Sequence, residues 1–254
     1  MAEHHENVNG KLNQGLIIFI LLAFLTFIEY MIAITNQSLL LLSVVAVIKA
    51  SMVLYYYMHI YKLGEMNDEL PHSSLEWKTS TNRFGFWLFI LSDAFLFAGL
   101  LTARFNLLGY TRPDLEQFLG LIVTSVLLVS SFFMNRAETQ MKAGNVKDFL
   151  VSASITTLLG IGFLAGVVGV EWQHAPFKVD DSAMSAVFFM MTGMHAFHVL
   201  TGVIFLLIVI NNARKGVYTA DNYWPVEAAT VYWHFVDVVW IFFYPAIYLI
   251  GRLV

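Results

Sequence analysis

Seven runs of mostly apolar residues dominate this chain and leave few folds open to it. A helix needs about 20 such residues to cross the hydrocarbon core of a membrane. Lipid offers no hydrogen bonds to backbone amides, so each span must satisfy its own, and unbroken apolar runs favour helices over a β-barrel. The sequence therefore predicts an all-α integral membrane protein, a bundle of seven transmembrane helices. The predicted spans are Leu16–Ile34, Leu39–Tyr61, Phe84–Ala103, Gln117–Met134, Val151–Val170, Ala183–Ile210 and Glu227–Ile250.

The composition supports this fold class and excludes several kinds of chemistry. Charged residues make up 13% of the 254 residues, where a soluble domain carries roughly 25%. Cysteine is absent, which excludes disulfides, thiolate metal sites and a cysteine nucleophile. The net charge of −4 is small and spread over short loops, so the chain has no basic surface for a nucleic-acid partner.

Lysine and arginine predict the orientation of the bundle, because positively charged loops are retained on the cytoplasmic side. Nine of them fall on the side of the amino terminus, four fall on the other side, and Lys49 lies inside a span. The amino terminus is therefore expected in the cytoplasm and the carboxyl terminus outside. The nine are Lys11, Lys62, Lys78, Arg83, Arg136, Lys142, Lys147, Arg214 and Lys215, and the four are Arg104, Arg112, Lys178 and Arg252.

The longest polar stretch, residues 62–82, divides the chain into two predicted parts. Residues 1–70 form a two-helix hairpin, and residues 71–254 form a five-helix block. The sequence shows no internal repeat, which disfavours the paired halves of a secondary transporter.

Two opposite charges inside the hairpin are predicted to meet. Glu29 and Lys49 each lie about 18–20 Å from the cytoplasmic ends of their spans, at 1.5 Å per residue. A structural ion pair between antiparallel helices is the preferred interpretation, and a proton relay is the alternative. Asp93, near the middle of the third span, is either a functional carboxyl group or a hydrogen-bonded helix contact.

Histidines and carboxylates recur in the last two spans. His195 and His198 are expected on one helix face, and His234 and Asp237 on another. A bis-histidine haem or a metal cluster is one interpretation, although no span contains the Glu-x-x-His spacing of a carboxylate-bridged site. Hydrogen bonds between helices are the commoner role for such residues. Two further carboxylates, Glu171 and Glu227, lie near span ends and are expected to be solvated.

Three ordered motifs in the five-helix block resemble haem-copper oxidase subunit III. They are the Tyr-Trp-His-Phe-Val-Asp-Val-Val-Trp sequence at 232–240, the segment from Phe188 to Val199, and the Glu171-Trp172-Gln173-His174-Ala175-Pro176-Phe177 loop. This resemblance covers roughly Trp77 to Val254. The hairpin is similar instead to the small bacterial oxidase subunit IV, through Thr26–Tyr30, Ile48–Ala50 and Tyr57–Ile60, so the chain is interpreted as a natural fusion.

The resemblance implies an accessory subunit without haem or copper of its own. It implies that the chain packs against oxidase subunits I and II, which hold those cofactors, binds phospholipid and supports proton uptake in a bacterial cytoplasmic membrane. A larger respiratory supercomplex is a further expected partner. Asp93 matches a position where the family has Glu. The remaining candidates, which become contacts between helices or with lipid headgroups, are Glu171, His195, His198, Glu227, His234 and Asp237.

Four arginines at span ends, Arg83, Arg104, Arg112 and Arg214, are candidates for binding lipid phosphates. Other functions remain open alternatives at this point. The oxidase partner could be a quinol oxidase or a nitric oxide reductase, since no residue here contacts the electron donor. A haem-binding membrane cytochrome would use His195, His198 and His234, and a transporter would use Glu29, Lys49 and Asp93.

Overall fold

The computed structural model describes residues 2–35, 38–60 and 74–253, and its dominant elements are long helices. Seven helices in this part of the chain are long and apolar enough to cross a membrane, which confirms the predicted all-α bundle. They are built on α1 (Ala2–Thr35), α2 (Leu39–Met52), α3 (Leu75–Leu108), α4 (Gln117–Lys142), α5 (Val146–Leu164), α6 (Ala183–Arg214) and α7 (Trp224–Tyr244), and the second, fifth and seventh spans include the helical residues that follow these α-helices.

Three of the helices continue as π-helix at one end. The π-helical stretches are Val53–Tyr57 after α2, Ala165–Glu171 after α5 and Pro245–Leu249 after α7. A short α-helical turn, Trp172–His174, follows the stretch after α5. A π-helix widens the turn by one residue and turns side chains away from their α-helical direction. Glu171, Tyr57 and Tyr248 all lie in such stretches, and all three are buried.

Serine caps explain where several helices begin. Ser38 and Ser74 accept hydrogen bonds from backbone amides in the first turns of α2 and α3. Ser182 and Ser185 form a reciprocal capping box before α6. Helix α3 begins at Leu75, nine residues before the apolar run that predicted it, because helical hydrogen bonding continues past the residues that face lipid.

The predicted second span ended at Tyr61, and the predicted domain boundary lies near residue 70. Both positions lie outside the described residues. The π-helical stretch after α2 ends at Tyr57, and the next described helix begins at Leu75.

Helix α7 occupies the middle of the bundle. In its most apolar stretch 94% of the residues are buried, and it packs against α2, α3, α4 and α6. The close approach of α5 and α6 to α7 depends on glycine. A Cβ atom at Gly160 would lie 2.4 Å from the Trp233 ring, and one at Gly202 would lie 3.1 Å from the same ring. Helix α3 lies at the periphery, with 11% of its most apolar stretch buried.

The two ends of the bundle differ. The end at which α1 and α7 begin and α2 and α4 end is called here the amino-terminal face. At the opposite end, the carboxyl-terminal face, α3 and α7 finish close together. Two short parallel strands join there, β1 (Thr111–Arg112) with β2 (Arg252–Leu253).

Candidate functional site

A buried polar contact joins α7 to α4 in the middle of the bundle. The Ser131 hydroxyl donates a hydrogen bond to Oδ2 of Asp237 at 2.9 Å, and Nδ1 of His234 lies 3.3 Å from the same hydroxyl oxygen. All three side chains are buried. His234 and Asp237 therefore share one helix face and one partner, and the contact is of the interhelical kind.

Two tryptophans of α7 extend the same contact along the helix. The Trp233 indole donates to the Ser130 hydroxyl, and the Trp240 indole donates to the Thr124 hydroxyl, each at 2.9 Å. Sequence reasoning missed these four residues as a set. The available signal was the occurrence of hydroxyl side chains inside the apolar fourth span, because such residues commonly hydrogen-bond between membrane helices.

The two histidines of α6 have different surroundings. The His195 ring is fully buried with its centroid 4.8 Å from that of Trp240 and 5.4 Å from that of Phe163, and neither of its nitrogens has a hydrogen-bond partner among the described residues. His198 points toward α3, where its Nε2 lies 3.5 Å from Oδ2 of Asp93. His195 therefore faces the interior of the bundle, whereas His198, three residues later on the same helix, faces the peripheral helix α3.

Asp93 is a side chain of the α3–α6 boundary with 17% of its surface exposed. Beside it the Phe97 ring packs edge-on to His198, with centroids 4.7 Å apart. Phe97 also lines an apolar groove of about 290 Å³ between α3 and α7. A second groove, of about 730 Å³, runs between α3 and α6 past Leu100 and Met190. Asp93 therefore lies close to the lipid-facing side of α3.

Glu227 and Glu171 are buried, so the expectation that they are solvated end residues is wrong. Glu227 accepts two hydrogen bonds from the Arg83 guanidinium, at 3.0 and 3.2 Å, which joins α7 to α3 at the amino-terminal face. Glu171 accepts a hydrogen bond from the Tyr248 hydroxyl, and the two residues lie in the π-helical stretches that follow α5 and α7. The sequence could not reveal either partner, because 144 and 77 residues separate them along the chain.

Glu29 and Lys49 form the ion pair that joins α1 to α2. Nζ of Lys49 lies 2.5 Å from Oε2 of Glu29, and both side chains are almost completely buried. The second carboxylate oxygen, Oε1, is buried without a hydrogen-bond partner among the described residues. Burial of two charges in this way is stable only while both are present.

Metal and haem ligation were interpretations open to these histidines. Within the described residues no three His, Asp or Glu side chains come together as metal ligands. His198 and His234 are engaged with Asp93 and Ser131, and His195 is packed against aromatic rings. The donor sets in this part of the chain therefore do not fit a metal cluster.

Three of the four arginines proposed for lipid phosphates are occupied inside the protein. The Arg104 guanidinium donates to the carbonyl oxygens of Ala246, Gly109, Thr111 and Ile250 at 2.6–3.0 Å. This guanidinium is only 1% exposed. For Arg104 the expectation of lipid binding is therefore wrong, since its hydrogen bonds hold the ends of α3 and α7 together.

The other three arginines differ in exposure. Arg112 donates to the Gly251 carbonyl at 3.2 Å, and burial lowers the pKa of its guanidinium while Asp114 acts in the opposite direction. Arg83 is held by Glu227, as described above. Arg214 is exposed at the end of α6.

Comparison with known proteins gives one consistent family. The family model described as cytochrome c oxidase subunit III matches residues 18–252, a range that begins within α1 and includes all of α2. Cytochrome c oxidase subunit 3 of Halichoerus grypus is 35% identical over 179 residues, covering 65% of this chain and 68% of that protein. The Latimeria chalumnae protein of the same name gives the same identity and coverage, and that of Artemia franciscana is 37% identical over 180 residues, covering 67% and 69%.

Proposed function

The chain belongs to the cytochrome c oxidase subunit III family, and we propose that it stabilises the catalytic subunit of its oxidase and holds phospholipid along α3. As a family member it is an accessory subunit of a haem-copper terminal oxidase, an oxidoreductase complex. Haem and copper belong to the proposed partners, oxidase subunits I and II. The residues of this chain supply the contacts between its helices and the apolar grooves beside α3.

The observation that carries the proposal is the contrast between the polar interior and the apolar outer face of α3. Phe95 is 72% exposed, and Leu88 and Leu91 are about half exposed on the same helix. Exposed apolar surface of this extent is covered by lipid or by another subunit in a membrane. The grooves on either side of α3, of about 290 and 730 Å³, are lined by apolar side chains such as Phe97 and Met190, which suit acyl chains.

The candidate site residues fit a positioning role in this proposal. His195, Glu171, Glu227, His234 and Asp237 hold α7 and its neighbours together. His198 and Asp93 form a contact at the edge of the α3–α7 groove, where the family has Glu in place of Asp. We propose that this contact fixes α3 relative to α6 and so sets the width of the grooves, while Glu29 and Lys49 hold the hairpin.

The proposed location is a bacterial cytoplasmic membrane, with the amino terminus in the cytoplasm and the carboxyl terminus outside. The excess of lysine and arginine on the amino-terminal face supports this orientation. The separate, subunit IV-like origin of the hairpin and the membership of a larger supercomplex stay predictions.

Deletion of the chain tests the proposal. We expect the purified oxidase without it to reduce oxygen at close to the normal initial rate and to lose activity sooner during continuous turnover. Loss of retained phospholipid should accompany the shorter lifetime. The matched control is the oxidase with the chain restored from a plasmid. An unchanged working lifetime would contradict the stabilising role.

A further inference from the structure

The ion pair between Glu29 and Lys49 is only partly hydrogen-bonded. Nζ of Lys49 donates to Oε2 of Glu29 at 2.5 Å, while the other carboxylate oxygen, Oε1, is buried without a hydrogen-bond partner among the described residues. An ammonium group has three N–H donors, and this contact uses one of them. A charged acceptor is costly to leave unsatisfied in an apolar interior, so Oε1 requires a donor.

The neighbouring side chains of α1 do not supply that donor. Thr26 and Ala33 stand three residues before and four residues after Glu29, so they lie on the same face of the helix. The Thr26 hydroxyl donates to the Leu22 carbonyl of its own helix at 2.9 Å, and Ala33 has no polar side chain. Both residues are buried, and their short side chains fill little of the space beside the carboxylate.

A second unpartnered polar group lies near the pair, on α7. The Tyr244 hydroxyl is buried without a hydrogen-bond partner among the described residues. Tyr244 ends α7, directly before the π-helical stretch against which α1 packs. The Glu29 carboxylate lies close enough to Tyr244 to act electrostatically on its phenol. A buried acceptor of the hairpin and a buried donor of α7 therefore lie at one interface, and neither is satisfied.

The charges at this interface favour a small neutral ligand. Glu29 and Lys49 neutralise each other, so the pair offers no net charge to an ion. Asp237, the other carboxylate nearby on α7, accepts a hydrogen bond from Ser131 and lies about 10 Å from Tyr244 along the helix axis. Water is neutral and both donates and accepts, and a buried water typically makes about three hydrogen bonds to polar groups that lack partners.

We propose that a water molecule is trapped between the hairpin and α7, bonded to Glu29, Tyr244 and Lys49. It donates a hydrogen bond to Oε1 of Glu29 and accepts hydrogen bonds from the Tyr244 hydroxyl and from a second N–H of Lys49. The ion pair then joins the hairpin to α7 as well as α1 to α2. This inference uses contacts within the chain alone, so it does not depend on the function proposed above.

Radiolytic labelling of the intact oxidase complex tests for this water. Hydroxyl radicals formed from bound water by a short X-ray pulse oxidise a buried side chain only where water lies beside it, and mass spectrometry locates the oxidised residues. We expect Tyr244 to be oxidised although it is buried. Tyr248, one helical turn later, is the matched control, because it is equally buried and its hydroxyl donates to Glu171. Tyr248 should stay unmodified.

A double variant, Glu29→Leu with Lys49→Met, removes the other partners of the water without leaving a buried charge. Oxidation of Tyr244 should fall to the level of Tyr248 in this variant, and an unchanged haem content of the complex shows that assembly is intact. If the variant does not assemble, the comparison of the two tyrosines in the wild-type complex decides alone. Equal reactivity of Tyr244 and Tyr248 there, whether both are oxidised or both are protected, would overturn the proposal. Oxidation of Tyr244 that persists in the assembled double variant would overturn it too.

Discussion

Helices α3 and α7 both cross the membrane, yet the more buried of the two is the less apolar. The most apolar stretch of α7 is 94% buried and has a mean hydropathy of 1.3, whereas that of α3 is 11% buried and has a mean hydropathy of 2.0. Lipid is a poorer solvent for polar groups than the interior of a helix bundle, where partners are available. Burial in this protein therefore permits histidine and aspartate in α7, whereas Asp93 of α3 lies beside His198 of α6 rather than on the outer face.

This difference shows which of the two helices depends on specific contacts between side chains. In α7 several polar side chains have a defined partner on a neighbouring helix, such as Ser131 for Asp237 or Arg83 for Glu227. In α3 the outward side chains need only be apolar. Substitutions should therefore act strongly and individually in α7, and weakly in the outer face of α3.

The largest effect is expected from Trp233→Ala. This ring is 1% exposed, donates a hydrogen bond to Ser130 and fills the space beside two glycines. Its removal should cost about 4 kcal/mol in the free energy of unfolding, measured by circular dichroism during titration of the purified chain with dodecyl sulfate. Phe95→Ala in α3 is the control and should cost less than about 1 kcal/mol, since the side chain is 72% exposed. Equal losses would remove the distinction between the two helices.

The next effect extends the comparison to the hairpin. Lys49→Met leaves the buried Glu29 carboxylate without its partner and should cost about 3 kcal/mol by the same titration. The double variant with Glu29→Gln and Lys49→Met should be more stable than Lys49→Met alone, because no buried charge remains. A double variant as unstable as the single one would mean that the pair is not the source of the loss.

Two glycines of α5 sharpen the comparison within a single helix. Gly160→Ala places a Cβ atom 2.4 Å from the Trp233 ring and should cost about 2 kcal/mol by overpacking. Gly162→Ala meets no atom within 4 Å and should be neutral or slightly stabilising, by up to about 1 kcal/mol. When thermal midpoints are measured side by side in one detergent, that of Gly160→Ala should lie below the wild-type midpoint, and that of Gly162→Ala should lie at or above it. The reverse order would place α5 differently against α7.

The smallest effect concerns the polar contact between α4 and α7. Ser131→Ala removes the donor to Asp237 and should cost about 1 kcal/mol, since hydrogen bonds between membrane helices are individually modest. Ser125→Ala, an exposed position of α4 whose hydroxyl bonds only to its own helix, should change nothing measurable. The same unfolding titration distinguishes them. A Ser125→Ala loss as large as that of Ser131→Ala would show that the polar contact between α4 and α7 contributes no special stability.

The helices were predictable from the sequence, and several of their ends were not. Leu39, Gln117 and Ala183 are both predicted and observed starts, because apolar runs begin at or one residue after these positions and follow polar residues. Helix α4 instead continues to Lys142, eight residues beyond its predicted end at Met134, because its last turns are polar but still hydrogen-bonded as a helix. The π-helical stretches leave no recognisable mark in hydropathy.

Contacts within the hairpin were within reach of sequence reasoning, and those across the bundle were not. The depth of Glu29 and Lys49 follows from counting residues along two adjacent antiparallel helices. The partner of Glu227 is Arg83, on a helix that is distant in sequence, and no periodicity encodes that distance. The divergence of His195 and His198 likewise depends on which helices flank α6, which packing decides.

The central position of α7 has a consequence for how the protein is made. During synthesis α7 leaves the ribosome after the other six spans, yet it supplies the surface against which α2, α3, α4 and α6 pack. Until then the side chains that bind α7, such as Arg83 and Ser131, lack their partners in the bilayer, so the native arrangement can form only once translation of the last span is finished. Chains that are truncated before residue 224 should therefore fail to pack and be degraded by membrane proteases.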